Sequence, residues 1–330
     1  MTFIGCGPPT ATIRGRSVGR RGLQYLRDEY RLRCPRSAAR PHCDLKETSM
    51  KIAYGTYAMP TVPLEKAFPA LAEIGYDGVE ICISPRHLDS LPEEMDAARR
   101  ATLKELLIAS GLGVPALFLT GSLWTRDETT HQVNVRRLRE CAGLARDLGM
   151  REPPVLAMGI GGARNDWDDI RDDLVTLLKG YVDLAAEEDF ILAAEAHCGA
   201  AVYNSERATW LFNAVGSPRV KMHFDIVHMF LAGEKEDEAV ARLVPYTGHT
   251  HITDAIRNED GSFQLVLLGQ GQLDATTYMR AMQAAGWTDF ITLEVSMMVW
   301  GKEGYDPLAA ARESYAAITK AFAEAGVMRG

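Results

Sequence analysis

The sequence has few cysteines, and they lack the spacing of a metal-binding or redox motif. Six cysteines occur in 330 residues, and no two of them form a Cys-x-x-Cys pair. Three precede residue 50, whereas Cys82, Cys141 and Cys198 lie in apolar surroundings. This pattern argues against a disulfide scaffold and against a cysteine-based zinc module. We therefore expect reduced thiols and a cytoplasmic location.

Long hydrophobic runs and a positive net charge are also missing. No apolar stretch reaches about 18 residues, so the sequence does not predict a membrane-spanning helix. The formal net charge of −8 gives no general attraction to nucleic acid or to an anionic membrane surface. With 47% hydrophobic and 24% charged residues, the composition is typical of a soluble globular protein. The length allows two domains or one large α/β barrel.

Positive charge is concentrated in the first 49 residues. This segment contains ten basic and four acidic residues, so its net charge is +6 and that of the remaining 281 residues is −14. The segment has no sustained helix or strand period, whereas Met50 opens MKIAYGTY, a typical strand start. We interpret residues 1–49 as a disordered or non-native extension and residues 50–330 as one catalytic domain. An Arg-rich transit peptide or a nucleic-acid-binding arm is the alternative for the extension.

From Met50 onward, short apolar runs alternate with longer amphipathic stretches. The period is about 30 to 35 residues, which is the length of a βα unit. The runs predict eight strands: Lys51–Gly55, Gly78–Ile83, Gly113–Leu119, Pro154–Gly159, Ile191–His197, Arg219–Asp225, Gly248–Thr253 and Asp289–Val295. The amphipathic stretches predict eight helices: Leu64–Ile74, Met95–Ser110, Thr130–Leu148, Ile170–Glu187, Ser205–Val215, Glu236–Leu243, Asp274–Ala285 and Pro307–Ala323.

The count of these units predicts the fold class, an α/β protein with a (β/α)8 TIM barrel. Gly75, Gly111, Gly149 and Gly286 follow predicted helices, where a left-handed C-cap is expected. A doubly wound open sheet is the alternative, but the first strand carries no GxGxxG motif. In a TIM barrel, functional residues lie at the carboxyl ends of the strands and in the loops that follow them.

Four consecutive late strands end in residues that can bind a metal. These residues are Glu195 and His197, then His223, Asp225 and His228, then His249 and His251, and finally Glu294. Residues two apart in a strand share a face, so the pairs within each strand are expected to point into the barrel. Ionisable groups buried there need a partner or a bound cation.

We expect four of these residues to bind one divalent cation together. They are Glu195, Asp225, His251 and Glu294. Three carboxylates and one imidazole form an oxygen-rich site, which suits Mn2+ best, with Mg2+ or Co2+ as alternatives. His223 and His249 lie one pleat deeper and are expected to be core groups or to support the ligands. His197 fits either role.

The sequence resembles the sugar-phosphate isomerase/epimerase superfamily, which is also called the xylose-isomerase-like TIM barrels. The motifs that carry the resemblance are GYDGVEI (75–81), LAAEAH (192–197), FDIVHMFLAG (224–233), HTHITDAIR (249–257), LLGQGQLD (267–274) and GWTDFITLE (286–294). The resemblance implies a single divalent ion on the four residues named above. It also implies that His228 and Arg257 contact substrate oxygens, as in the ketose 3-epimerases.

The sequence departs from several members of that superfamily. Ala201 stands where the ketose 3-epimerases have a second acid. The superfamily's DNA-repair endonucleases bind three zinc ions through extra histidines, and here His87 has no partner in the corresponding loops LTGSLW and RNEDGSFQ. The lysine-bearing region of the two-metal aldose isomerases is also missing. A site for one ion is therefore expected.

The function we expect is that of a metal-dependent sugar isomerase or epimerase. A ketose or keto-sugar would lose the proton next to its metal-chelated carbonyl, which gives an enediolate. Glu195 and Glu294 would remove and return that proton. Loss of a leaving group instead would make the protein a lyase or dehydratase, acting on a keto-inositol or a 3-keto-glycoside. A non-catalytic carbohydrate-binding barrel is a third possibility.

The remaining expectations concern substrate contacts and partners. The loop of residues 159–167 could bring Trp167 to the substrate, or it could be an ordinary glycine-rich loop. His197 is a further candidate for substrate binding. The expected partner is a small carbohydrate, and C-glycoside cleavage would imply a small partner subunit. A homo-oligomer remains open.

If the fold begins at Met50, a protein that starts there will behave like the full chain. We expect a melting temperature within about 2 °C of the full chain's and the same content of bound divalent metal. Calorimetry and elemental analysis of the two proteins measure both quantities. Loss of folding in the shorter protein would show that residues 1–49 belong to the domain.

Overall fold

Strands and helices alternate along residues 49–330, which are the residues that this computed structural model describes. The predicted extension therefore lies outside the described residues, apart from Ser49. The strands are β1 Lys51–Gly55, β2 Gly78–Ile83, β3 Leu117–Ser122, β4 Val155–Gly159, β5 Ile191–Glu195, β6 Val220–Asp225, β7 Thr247–Ile252, β8 Asp254–Arg257, β9 Phe263–Val266 and β10 Phe290–Leu293.

The helices follow the strands as the sequence predicts. They are α1 Leu64–Ile74, α2 Ala97–Ser110, α3 Glu128–Leu148, α4 Trp167–Glu187, α5 Ser205–Val215, α6 Ile226–Leu231, α7 Glu236–Leu243, α8 Ala275–Ala284, α9 Met297–Trp300 and α10 Pro307–Ala325. Among residues 49–330, no helix combines the length and apolar composition needed to cross a bilayer.

Eight of the strands close into a parallel barrel in the order β1-β10-β7-β6-β5-β4-β3-β2. The predicted (β/α)8 TIM barrel is therefore confirmed. Side chains on the outer face of the strands pack against the helices, where Phe68 and Leu71 of α1 and Leu174 and Leu178 of α4 are fully buried. Burial of each such side chain contributes about 1.5–3 kcal/mol to folding.

Capping residues account for most of the differences between predicted and observed helix ends. Helix α3 starts two residues before the predicted Thr130, because the Asp127 carboxylate accepts a hydrogen bond from the Thr130 backbone N–H at 2.9 Å. Gly75, Gly111 and Gly149 end their helices with φ angles of 114°, 67° and 73°. These left-handed caps confirm the predicted stops.

Several predicted strand boundaries were wrong, and one hairpin was not predicted. Strand β3 runs over Leu117–Ser122, so it begins four residues and ends three residues later than the predicted Gly113–Leu119. Strand β5 ends at Glu195, so His197 lies in the turn after the strand and not on its inward face. The segment after β7 forms an antiparallel hairpin, β8 and β9, where we predicted no strand. Gly261, with φ 84°, makes the hairpin turn together with the bond from the Asn258 backbone N–H to the Ser262 carbonyl.

Asp254, the first residue of β8, anchors the loop that carries the LLGQGQLD motif. Its carboxylate is 1% exposed and accepts hydrogen bonds from the backbone N–H groups of Ala255, Gly269, Gly271 and Leu273 at 2.8–3.0 Å. A Cβ at Gly271 would clash with Asp254 Oδ1. Only glycine therefore lets the backbone at position 271 come this close to the Asp254 carboxylate. One buried carboxylate thus fixes a loop of the barrel's functional end.

Replacing Asp254 with Ala should lower the free energy of unfolding by about 3 kcal/mol, because four buried N–H groups lose a charged acceptor. Chemical denaturation measures this difference. Asp260→Ala is a matched control, since Asp260 accepts from Ser262 on an exposed turn, and it should change stability by less than about 1 kcal/mol. Equal stability of the two variants would mean that the Asp254 network does not hold the loop.

Candidate active site

Buried carboxylates and imidazoles fill the carboxyl end of the barrel. They come from β2, from β5 to β7 and from the residue after β10: Glu80, Glu195, His223, Asp225, His249, His251 and Glu294. All but Glu294 are buried, and Glu294 is half-buried. In the register of β6 and β7, His223 lies beside His249 and Asp225 beside His251. His223 and His249 thus lie side by side, one pleat below Asp225 and His251.

The structure brings together the four residues predicted to bind a metal. One ligand atom each from Glu195, Asp225 and His251 lies within 4.8 Å of the others. The fourth residue, Glu294, places its Oε2 atom 3.8 Å from His251 Nδ1. The hydroxyl of Thr253 donates to the same Oε2 atom at 3.3 Å. The carboxyl ends of four neighbouring strands, β5, β6, β7 and β10, thus converge on one point.

Two unpaired atoms at this point fit a cation. Asp225 Oδ2 and His251 Nδ1 are buried and have no hydrogen-bond partner among the described residues. An unpaired buried polar atom costs about 1–3 kcal/mol, so most such atoms in proteins have a partner. Three carboxylates and one imidazole nitrogen match the ligands that a hard or borderline divalent ion prefers.

Glu80, on β2, is a functional residue that the sequence analysis missed. His251 Nε2 lies 2.8 Å from Glu80 Oε2, and His249 Nε2 contacts the same oxygen. Because Nε2–H of His251 donates to this carboxylate, Nδ1 is the nitrogen that can offer an electron pair to a cation, and it faces Asp225 and Glu294. In the sequence, Glu80 was marked only as a single carboxylate inside the apolar run GVEICI.

Electrostatic interactions shift the pKa values of these groups in opposite directions. Burial raises the pKa of Glu80, but the charge of His251 and the hydrogen bonds from His249 and His251 outweigh it and hold the pKa at about 2. Burial lowers the pKa of His251, but Glu80 raises it to about 10. Glu80 and His251 therefore form a buried ion pair when the neighbouring site holds no cation.

Glu294 behaves differently. Burial, together with the charges of Asp225 and Glu195, raises its pKa to about 7, although the charge of His251 opposes the shift. Burial also raises the pKa of Asp225. Burial also raises the pKa of Glu195, but the hydrogen bond and charge of His228 outweigh it and lower the pKa. A bound divalent cation would favour the charged forms of Asp225 and Glu294.

The predicted substrate-binding residues lie at different distances from this cluster. His228, which is 3% exposed, places Nε2 3.5 Å from both Glu195 Oε1 and Asp225 Oδ2. The His197 ring is centred 4.0 Å from the His228 ring, and its Nδ1 accepts a hydrogen bond from the Gly199 backbone N–H. His228 therefore borders the carboxylates, and His197 packs against His228.

Arg257 and Trp167 make other contacts. The guanidinium of Arg257 stacks on the Phe230 ring at 4.0 Å and donates to the Phe230 carbonyl at 3.2 Å. Phe230 lies in α6, two residues after His228, so Arg257 is held at the rim of the site. Trp167 packs its ring against Trp210 of α5 at 5.3 Å, beneath the guanidinium of Arg207. Among residues 49–330, the ring contacts given for Trp167 are with Trp210 and Arg207 of α5.

Aromatic residues form a wall on the side of the site nearest β1, β2 and β10. The rings of Tyr57 and His87 are stacked, with centroids 5.6 Å apart, and Trp300 meets the Tyr57 ring edge-on at 5.5 Å. Phe118 connects Tyr57 to His251, with ring centroids 5.7 and 5.3 Å away. These residues come from loops that are distant in sequence, so periodicity gave no signal that they meet.

A model of the xylose isomerase-like TIM barrel family matches residues 68–321. Solved structures with the same fold include the IolI protein with a bound zinc atom, at a TM-score of 0.68 and 20% identity, covering 84% of this chain and 98% of that one. They also include the probable 3-DHS dehydratase AsbF from Bacillus anthracis, at a TM-score of 0.67 and 16% identity, covering 82% and 99% of the two chains. L-ribulose 3-epimerase matches with a TM-score of 0.64 and 19% identity, over 84% and 97%. Curated protein sequences give no significant match.

Removal of one expected ligand should abolish metal binding. We expect one Mn2+ per wild-type chain and no stoichiometric Mn2+ in Asp225→Ala or His251→Ala, because each variant loses both charge and geometry. Elemental analysis after dialysis measures the stoichiometry. His131→Ala, on the outer helix α3, is the control and should bind Mn2+ like the wild type. Stoichiometric Mn2+ in both ligand variants would refute the site, and two or three Mn2+ per wild-type chain would refute a single-ion site.

Proposed function

Because this chain belongs to the xylose isomerase-like TIM barrel family, we propose that it is a metal-dependent sugar isomerase or epimerase. The observation that carries the proposal is the position of two carboxylates, Glu195 and Glu294, on either side of the buried Asp225 and His251. Groups placed in this way can hold a cation and exchange a proton with the same small substrate. The named activities of the similar structures, an epimerase and a probable dehydratase, are compatible with this chemistry.

The cation we propose is Mn2+, with Mg2+ or Co2+ as alternatives. The residues that would hold it are Glu195, Asp225, His251 and Glu294. When bound, a divalent cation polarises a carbonyl oxygen and its neighbouring hydroxyl and so acidifies the C–H bond between them. The Glu80 carboxylate supports this arrangement, because it holds the Nε2–H of His251 and leaves Nδ1 free.

Glu195 and Glu294 are the acid/base pair in this proposal. Glu195 ends β5 and Glu294 follows β10, and β6 and β7 lie between these strands in the barrel. The two carboxylates therefore reach a substrate from different sides. One accepts the proton from the carbon next to the carbonyl, and the other returns a proton to the substrate-derived enediolate. Return to the opposite face gives epimerisation, and return to the neighbouring carbon gives isomerisation.

Substrate oxygens and the substrate's apolar face have separate contacts. His228 borders Glu195 and Asp225, and we assign it, with His197 and Arg257 at the rim, to substrate hydroxyls. The wall of Tyr57, His87 and Trp300 offers flat apolar surface on the other side. Sugar rings present C–H groups that pack on such surfaces. The proposed ligand is therefore a small carbohydrate.

Elimination is the second candidate reaction. Ala201 is buried where the ketose 3-epimerases carry an acid, so their particular substrate contact has no counterpart here. Loss of a leaving group from the same enediolate would give a dehydratase or lyase, and cleavage of a C-glycoside would bring in a small partner subunit. Isomerase and lyase share the first proton transfer, so one measurement tests both.

The location we propose is the cytoplasm. The cysteines among the described residues are free thiols, and Cys82 and Cys141 are buried. Reduced cysteines of this kind are typical of a reducing compartment.

Glu→Gln substitutions test the proton transfer. Gln can retain part of the metal-binding geometry but cannot accept the proton. We expect Glu195→Gln and Glu294→Gln each to slow exchange of solvent deuterium into the substrate carbon by at least about a hundredfold, and at least one of them to keep detectable Mn2+. The assay uses Mn2+-loaded protein with ketoses, inososes and 3-keto-glycosides.

Glu313→Gln serves as the control, because Glu313 lies on the outer helix α10 beside Gln270, and it should exchange at the wild-type rate. Near-normal exchange in both active-site variants would exclude the proposed mechanism. Exchange followed by loss of a leaving group would identify the lyase, whereas exchange with a new stereocentre or a shifted carbonyl would identify the isomerase.

A further inference from the structure

We propose that His197, Cys198 and His228 form a second metal site, which binds a thiophilic ion such as Zn2+ next to the site already described. One ring nitrogen of each histidine and the Cys198 Sγ atom all lie within 4.8 Å of one another. The site goes beyond the proposed function, and it shares His197 and His228 with the substrate contacts proposed above.

The barrel topology explains why these three residues meet. His197 and Cys198 are the second and third residues after β5, and His228 lies in α6, directly after β6. Strands β5 and β6 are paired, so the segments that leave them are neighbours at the carboxyl end of the barrel. The two imidazole rings are 4.0 Å apart.

The orientation of His228 provides the first ligand atom. Its Nε2 faces Glu195 and Asp225, each 3.5 Å away. Its Nδ1 is buried and has no hydrogen-bond partner among residues 49–330. An imidazole that directs Nε2–H to a carboxylate can offer the electron pair of Nδ1 to a metal ion once Nδ1 has lost its proton, which is the usual arrangement of a metal-binding histidine.

Cys198 determines which ion fits. Its thiol is free and half-buried, so an ion from solution can reach it. Thiolate sulfur favours Zn2+, Co2+ or Cu+ over Mn2+ and Mg2+, which prefer oxygen. The neighbouring site of three carboxylates and one imidazole has the opposite preference. The two sites therefore differ in chemistry although they are adjacent.

His197 completes the site at a small cost. Its Nδ1 accepts the Gly199 backbone N–H at 3.0 Å, and coordination through either ring nitrogen would release that bond. The turn is exposed, so water can take over the N–H group and the loss of stability is small. A tetrahedral ion holds its ligand atoms about 3.5 Å apart, so the exposed turn has to move inward by about 1 Å.

Three protein ligands leave one coordination position for water or a substrate oxygen. Binding releases the thiol proton of Cys198, and with it any proton on the coordinating ring nitrogens.

Cobalt makes the test specific, because a Co2+–thiolate bond gives an intense near-ultraviolet charge-transfer band. Full-length protein is first loaded with one equivalent of Mn2+ and then titrated with Co2+. We expect a saturable band that one further equivalent of Zn2+ abolishes. Cys198→Ser should remove the band and leave Mn2+ stoichiometry at the wild-type value, and Cys141→Ser, in helix α3, should keep the band.

A second variant guards against effects of folding. His197→Gln alters an exposed residue, and we expect at least about tenfold weaker binding of Co2+ with the band still present at saturation. Absence of the band from the wild-type protein, or its persistence in Cys198→Ser, would overturn the second site. Either result would leave Mn2+ binding and deuterium exchange unaffected, so failure of this site is distinguishable from failure of the proposed function.

Discussion

The cost of burying carboxylates inside a barrel governs the chemistry of this protein. Four of them, Glu80, Glu195, Asp225 and Glu294, lie at the carboxyl end of the strands. Glu80 is compensated by two imidazoles, and its pKa of about 2 reflects that pairing. Of the other three, Glu195 has a lowered pKa because of His228, whereas the pKa values of Asp225 and Glu294 are raised. A bound cation would favour the ionised forms of Asp225 and Glu294.

A backbone irregularity in β7 sets which residues of β6 and β7 lie beside each other. One extra residue in β7, Gly248, separates Thr247, which pairs with Met222, from His249, which pairs with His223. A Cβ at position 248 would lie 2.7 Å from the Lys221 side chain. This irregularity brings Asp225 level with His251, and a shift of one residue would turn the imidazoles to the opposite face. A local bulge thus sets the geometry of the whole centre.

Periodicity made the barrel and the core of its site predictable from the sequence. The βα period predicted the barrel, and the two-residue period of strands predicted that Asp225 and His251 share its interior. Glu80 was missed because one carboxylate in an apolar strand has no neighbour to mark it. The wall of Tyr57, His87 and Trp300 and the hairpin after β7 depend on contacts between loops, which no period in the sequence encodes. Helix ends were off by a few residues, because side-chain caps such as Asp127 decide them.

The two proposed metal sites each contain one histidine whose Nε2 faces a carboxylate. His251 directs Nε2 to Glu80 and presents Nδ1 to oxygen ligands, whereas His228 directs Nε2 to Glu195 and Asp225 and has one ring nitrogen within 4.8 Å of Cys198 Sγ. The imidazole chemistry is the same in both places, so the other ligands must provide the difference in preference. Carboxylates around His251 favour a hard ion, and Cys198 beside His228 favours a soft one. Because His228 also borders the carboxylates, an ion on its Nδ1 would strengthen its Nε2–H as a donor to Glu195 and so link the two sites electrostatically.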